Sequence, residues 1–170
     1  MILGLSTSTF TLIHVLLSLV GIGSGLVILF GLITGRRFNR WTLVFLSTTV
    51  LTSVTGFLFP NEHITPGIIL GILSMVALAL AIAARYLLAL AGGWRRTYSI
   101  SAVIALYFNC FVLVVQGFEK VPFLHALAPT QKEPPFAIAQ GLLLVAFLAL
   151  GTLAAKRFKE HPIQVERRVA

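Results

Sequence analysis

Aspartate is missing from this chain, and glutamate occurs only five times in 170 residues. The commonest carboxylate of catalytic and Mg²⁺ sites is therefore absent. No acid falls in the middle of an apolar stretch, which argues against a carboxylate proton relay across a membrane. Cysteine occurs once, as Cys110 inside an apolar run. That rules out an internal disulfide and a thiolate metal cluster. Charged residues make up 11%, against about 25% in a soluble domain. No P-loop, no G-x-S-x-G elbow and no H-E-x-x-H or H-x-x-x-H spacing occurs. Gly21, Gly23 and Gly25 sit within an apolar run and read as packing glycines, not as a nucleotide loop.

What fills the chain instead is apolar: 58% of residues are hydrophobic and the mean hydropathy is +0.97. A membrane span needs about 20 mostly apolar residues. Five stretches meet this: Phe10–Thr34, Trp41–Phe59, Gly67–Leu90, Tyr98–Phe118 and Phe136–Ala155. The expectation is an all-α membrane protein, a compact bundle of five transmembrane helices. Residues 1–170 form one transmembrane domain, with 156–170 as a basic tail. The runs are continuous, whereas barrel strands would alternate over about ten residues. The first run is too long for a signal peptide and lacks a basic leading region.

Thirteen basic residues give a net charge of +8 and a pI near 10.6. Arg36, Arg37, Arg40, Arg95, Arg96, Lys156, Arg157, Lys159, Arg167 and Arg168 fall on one side of a five-span layout. Only Lys120 and Lys132 fall on the other. The positive-inside rule then places the N-terminus outside and the C-terminus in the cytoplasm of an inner membrane. Trp41, Trp94 and Tyr98 sit as interfacial anchors at the inner ends. The basic charge is thus a topology signal facing anionic lipid, with the bilayer as partner. It is not a nucleic-acid surface, which would interleave basic and aromatic residues on one folded face.

Small residues mark where helices approach closely. His14, Ser18, Gly21 and Gly25 share a face of the first span. Gly67, Gly71 and Ser74 share one on the third, and Gly151 and Ala155 lie on the fifth. These faces could pack within the chain or build a homo-oligomer. The second span carries Thr48, Thr49, Thr52, Ser53 and Thr55, whose hydroxyls can bond their own preceding carbonyls.

Polar residues that could carry function gather at the outer end. Asn109, Gln116 and Lys120 share a face of the fourth span with Tyr98, as the lining of a pocket or as interhelical hydrogen bonds. His14 lies about one turn into the first span, and Gln140 about one turn into the last. Glu119, His125 and Glu133 belong to the loop from Glu119 to Pro135. That loop is too apolar for simple disorder, and a short helix from Pro122 to Ala128 is expected, as a cap or a lid over the bundle mouth. His14, His63, His125 and Glu119 form a weak metal set that only folding could assemble. A b-type haem would want ligands from facing spans, and a quinone is a further cofactor option. Arg85, near the inner end of the third span, either snorkels to phosphates or finds a buried partner or anion.

Five stretches, Phe10-Thr-Leu-Ile-His14, Thr55-Gly-Phe-Leu-Phe-Pro60, Ala84-Arg-Tyr86, Ala105-Leu-Tyr-Phe-Asn109 and Leu127-Ala-Pro-Thr-Gln-Lys-Glu-Pro-Pro-Phe136, carry a resemblance. Over nearly its whole length the chain resembles small multi-pass inner-membrane proteins of bacteria. The resemblance implies a membrane location and brings no activity, cofactor or catalytic residue with it. The functional expectation is a non-enzymatic accessory or oligomeric subunit of a membrane complex, with a polar pocket at its outer end. The alternatives are a channel or transporter along the Asn109–Gln116 face, and a metal-, haem- or quinone-binding protein.

Overall fold

The computed structural model describes residues 1–36, 38–60 and 65–158. Apart from an isolated bridge between Ile2 and Leu5, the regular structure of these residues is helical. The first helix, α1, runs Thr7–Thr34. Ser6 caps it by accepting a hydrogen bond from the Thr9 amide at 3.1 Å, which satisfies one of the orphan donors of the first turn. Gly35 ends it in the left-handed region (φ 69°), donating its N–H to the Gly31 carbonyl, a closure that glycine makes without steric cost. Helix α2 follows at Asn39–Phe57.

Helix α3, Pro66–Ile82, starts with Thr65 as side-chain cap and proline in its first turn, where the missing N–H costs nothing. At Ala83–Leu87 it passes into a π-helical turn. The chain then turns sharply, with Ala89 and Leu90 both at positive φ. The third apolar run was expected to stay helical to Leu90. Its α-helix ends eight residues earlier, because a mostly apolar run does not reveal a turn made by left-handed alanine and leucine. Helix α4 spans Trp94–Lys120, α5 Pro122–Leu127 and α6 Pro134–Arg157. Prolines 134 and 135 both fit its first turn.

Four of these helices are long and apolar enough to cross a membrane: Thr7–Thr34, Pro66–Leu87 with its π turn, Trp94–Lys120 and Pro134–Arg157. Helix α2, rich in hydroxyls, is not among them.

Helices α1 to α4 form a ring in which α1 packs on α2, α2 on α3, α3 on α4 and α4 on α1. Helix α6 lies outside it, in the groove between α4 and α1. The small residues set these approaches. A Cβ on Gly21 would stand 3.2 Å from Thr49 Oγ1. One on Gly25 would stand 2.5 Å from Leu106 Cδ1 and 2.9 Å from the Phe45 ring. Gly71 faces Phe57 and Gly151 faces Val103 in the same way. The glycine faces at these four positions are therefore used inside the chain.

Hydroxyls of α2 divide between local and crossing bonds. Thr48 and Thr55 bond back to the Val44 and Leu51 carbonyls. Ser53 reaches Ser74 on α3, and Thr49 accepts from Asn109 on α4 at 3.3 Å. Thr42, near the other end of α2, meets the Tyr98 hydroxyl at 3.5 Å. The last two bonds bridge opposite members of the ring.

Candidate functional site

The ring is filled unevenly. At the level of Gly25, Phe45 and Leu106 its axis is tightly packed, with both of those side chains buried. Towards the end that carries His14 and Phe59, the axis opens into a cavity of about 580 Å³. Ligand pockets commonly run from about 300 to 1,000 Å³. All four ring helices line it. Helix α1 contributes Thr11, His14, Ser18 and Ile22; α2 contributes Thr52, Ser53, Gly56 and Phe57; α3 contributes Gly67, Ile68, Gly71 and Ser74; α4 contributes Phe108, Asn109, Gln116 and Lys120. Asn109 is the deepest polar residue on α4 and Lys120 lies at the rim. Eleven residues at the helical rise make that depth about 16 Å.

His14 is held from two sides. Its Nδ1 lies 2.8 Å from Thr55 Oγ1, and its ring stands edge-on to Phe59 at 5.3 Å between centroids. The Thr55 hydroxyl proton points to the Leu51 carbonyl at 2.7 Å. A hydroxyl has one proton, so Thr55 accepts and His14 Nδ1–H donates. The neutral ring then presents Nε2 as an acceptor, and that nitrogen has no partner among the described residues.

One turn deeper, Thr52 is 9% exposed and its hydroxyl has no partner. Leaving such a group unpaired costs about 1–3 kcal/mol. Another turn deeper is the Asn109–Thr49 bond. Polar groups thus recur along the α2 wall at steps of three residues, about 4.5 Å each. The rest of the lining is mostly apolar, with Phe57, Phe59 and Phe108 supplying rings. Among the described residues Lys120 is the one charged residue in the lining.

The anticipated polar cluster divides. His14, Asn109, Gln116 and Lys120 line the cavity. Glu119 is exposed beside it, accepting from Gln116 Nε2 at 3.1 Å. His125, Glu133 and Gln140 lie elsewhere. Helix α5 folds back on α4, where His125 Nδ1 meets the Phe118 carbonyl, and no residue of α5 lines the cavity. The loop is therefore not a lid on this cavity: α5 lies against α4, with Leu124 over Gly117. Gln140 donates to the Phe111 carbonyl at 3.2 Å, a bond between α6 and α4. Glu133 closes the turn before α6, taking bonds from Thr130 N and Oγ1 and from Lys132 N. Desolvation pushes its carboxyl pKa up, but these hydrogen bonds outweigh it and hold the pKa below the ordinary value.

His63 lies outside the described residues. Among the described residues no three metal-ligating side chains come together. His14, His125 and Glu119, the weak metal candidates that only folding could assemble, therefore do not come together. Sequence reasoning missed Thr52, Ser53 and Ser74 as cavity-lining groups. Their hydroxyls were visible, but only the placement of α3 beside α2 puts them on one wall.

At the other end of the bundle, Arg85 does not snorkel. It is 6% exposed, donates to Asn39 Oδ1 and lies over the Tyr98 ring at 5.2 Å. The π-helical turn delivers it inward. The small cleft beside it has room for about 10 Å³ and is lined also by Arg36, Phe38 and Thr42.

Protein-family models, curated proteins and solved structures contain no match to this chain. The site must speak for itself.

Proposed function

We propose that this chain is a polytopic inner-membrane protein that binds a small, largely apolar molecule in the cavity between α1 and α4. It acts as a non-enzymatic binding subunit, alone or within a larger membrane complex. The cavity carries the reading. It has the volume of a ligand site, its wall is mostly apolar, and a few polar groups converge on it. The close packing of Gly25 against Leu106 and Phe45 below Asn109 favours a blind pocket over a through-channel.

In this reading α2 is a fifth span. It is 19 residues long and packs between α1 and α3, and its hydroxyls are largely turned to protein. The charge asymmetry then sets the N-terminus outside, so the cavity opens outward and the Arg85 end faces the cytoplasm.

Native mass spectrometry of protein purified in mild detergent tests the binding. The comparison is with Ser18→Phe. The Ser18 hydroxyl bonds its own helix at the Val15 carbonyl, so the change removes no crossing bond and places a ring in the cavity. A small molecule bound at one copy per chain and lost in Ser18→Phe is expected. Wild type and variant each found only at the mass of the bare chain would overturn the reading. Accessibility of tags at each terminus tests the orientation, with only the N-terminal tag reached from outside.

A further inference from the structure

The polar groups of the cavity specify more than an apolar ligand. The Nδ1–H of His14 is committed to Thr55, because the Thr55 proton is committed to Leu51. His14 Nε2 can then only accept, so it asks for an O–H or N–H on the ligand. Among the described residues no carboxylate lines the cavity, so none of them would balance an ammonium. A neutral hydroxyl is the donor that fits. Phe57, Phe59 and Phe108 stand around the site, and ring edges and faces of this kind favour a flat aromatic partner. Along the α2 wall the unpartnered Thr52 hydroxyl follows one turn below His14 and Thr55.

Resting on the binding reading above, we propose that the cavity takes a ring-borne hydroxyl, a hydroquinone or a simpler phenol. One O–H donates to His14 Nε2, and a second oxygen, where present, reaches towards Thr52 and Asn109. An alkyl tail leaves past the exposed apolar lining of Val15, Leu19 and Leu113. A site built this way discriminates by protonation: a hydroquinone supplies the proton His14 needs, whereas the oxidised quinone puts two acceptors face to face.

The test is equilibrium binding to the purified full chain in detergent, with four probes sharing a decyl tail: a benzohydroquinone, its benzoquinone, a phenol and a plain alcohol. The hydroquinone is expected to bind about ten-fold tighter than the quinone, the worth of one hydrogen bond made rather than lost. A phenol matching the hydroquinone would assign the site to phenols generally; a weaker phenol would assign it to hydroquinones. His14→Phe should erase the preference over the quinone, and His14→Gln, which keeps an acceptor, should restore part of it. Should His14→Phe fail to fold, Thr55→Val serves, since it frees the tautomer and should shrink the preference. Equal or tighter quinone binding, a plain alcohol equal to the hydroquinone, or a preference that survives in both variants overturns the proposal. If a different molecule co-purifies and is lost in Ser18→Phe, this ligand class fails while the binding reading stands. If Ser18→Phe alters nothing, both fail.

Discussion

Gly25 offers the sharpest test of the packing that closes the cavity from below. A methyl group there would stand 2.5 Å from Leu106 Cδ1 and 2.9 Å from the Phe45 ring. Both neighbours are buried, at 1% and 0% exposure, so neither can swing aside into open space. Forcing a methyl into such a contact costs about 1–3 kcal/mol. Alanine recovers up to about 1 kcal/mol of helix preference over glycine. The net expectation for Gly25→Ala is a loss of about 1–2 kcal/mol. Gly23→Ala is the matched control, because a Cβ at Gly23 on the same helix meets nothing within 4 Å. It should be neutral or slightly stabilising. Thermal unfolding followed with a thiol-reactive fluorophore suits this chain, since Cys110 is its single cysteine and is buried. At about 2–4 °C per kcal/mol for a chain of this size, Gly25→Ala should melt about 2–8 °C below wild type. Equal melting of the two alanine variants would refute the close approach of α1 to α2 and α4.

Three further outcomes are expected. Thr49→Val removes the acceptor for Asn109 and should cost about 0.5–1.5 kcal/mol, the usual worth of a hydrogen bond between helices in a membrane, read by the same melt. Asn39→Ala leaves the buried Arg85 guanidinium without its hydrogen-bond acceptor and should cost about 1.5–3 kcal/mol; Asn39→Asp should stay folded, and a melt unchanged by Asn39→Ala would contradict the contact. Thr130→Val should raise the Glu133 pKa towards the ordinary carboxylate value, measured by carboxyl NMR titration. Because the folded-state pKa is depressed, Glu133 supports the turn before α6 above its unfolded pKa, and that support is lost as pH falls through the folded one.

The helices were legible because hydropathy reports the solvent a segment prefers, and the caps report where it starts. Ser6, Gly35, Thr65 and the prolines that open α6 mark these boundaries by local chemistry alone. The glycine faces were legible for the same reason, as Gly21, Gly25 and Gly71 are small where a neighbour must come close. What escaped was partnership over distance. His14 meets Thr55, 41 positions on, and Arg85 meets Asn39, 46 positions back. Nothing in the spacing of those residues pairs them. The turn at Ala89 and Leu90 escaped because apolar residues carry no mark of positive φ. The loop after α4 was read as helical from its apolar content, yet the side on which it folds depends on its contacts with α4 at Gly117 and Phe118. His125, Glu133 and Gln140 went to that side with it, and the candidate site narrowed to His14, Thr52, Asn109, Gln116 and Lys120.

The most direct measurement is an experimental density map of the protein purified from its own membrane, inspected between His14 and Asn109. The account predicts continuous ligand density along that axis, with its polar end within hydrogen-bond reach of His14 Nε2. Side chains collapsed to fill the space, with α1 and α3 drawn together, would contradict it.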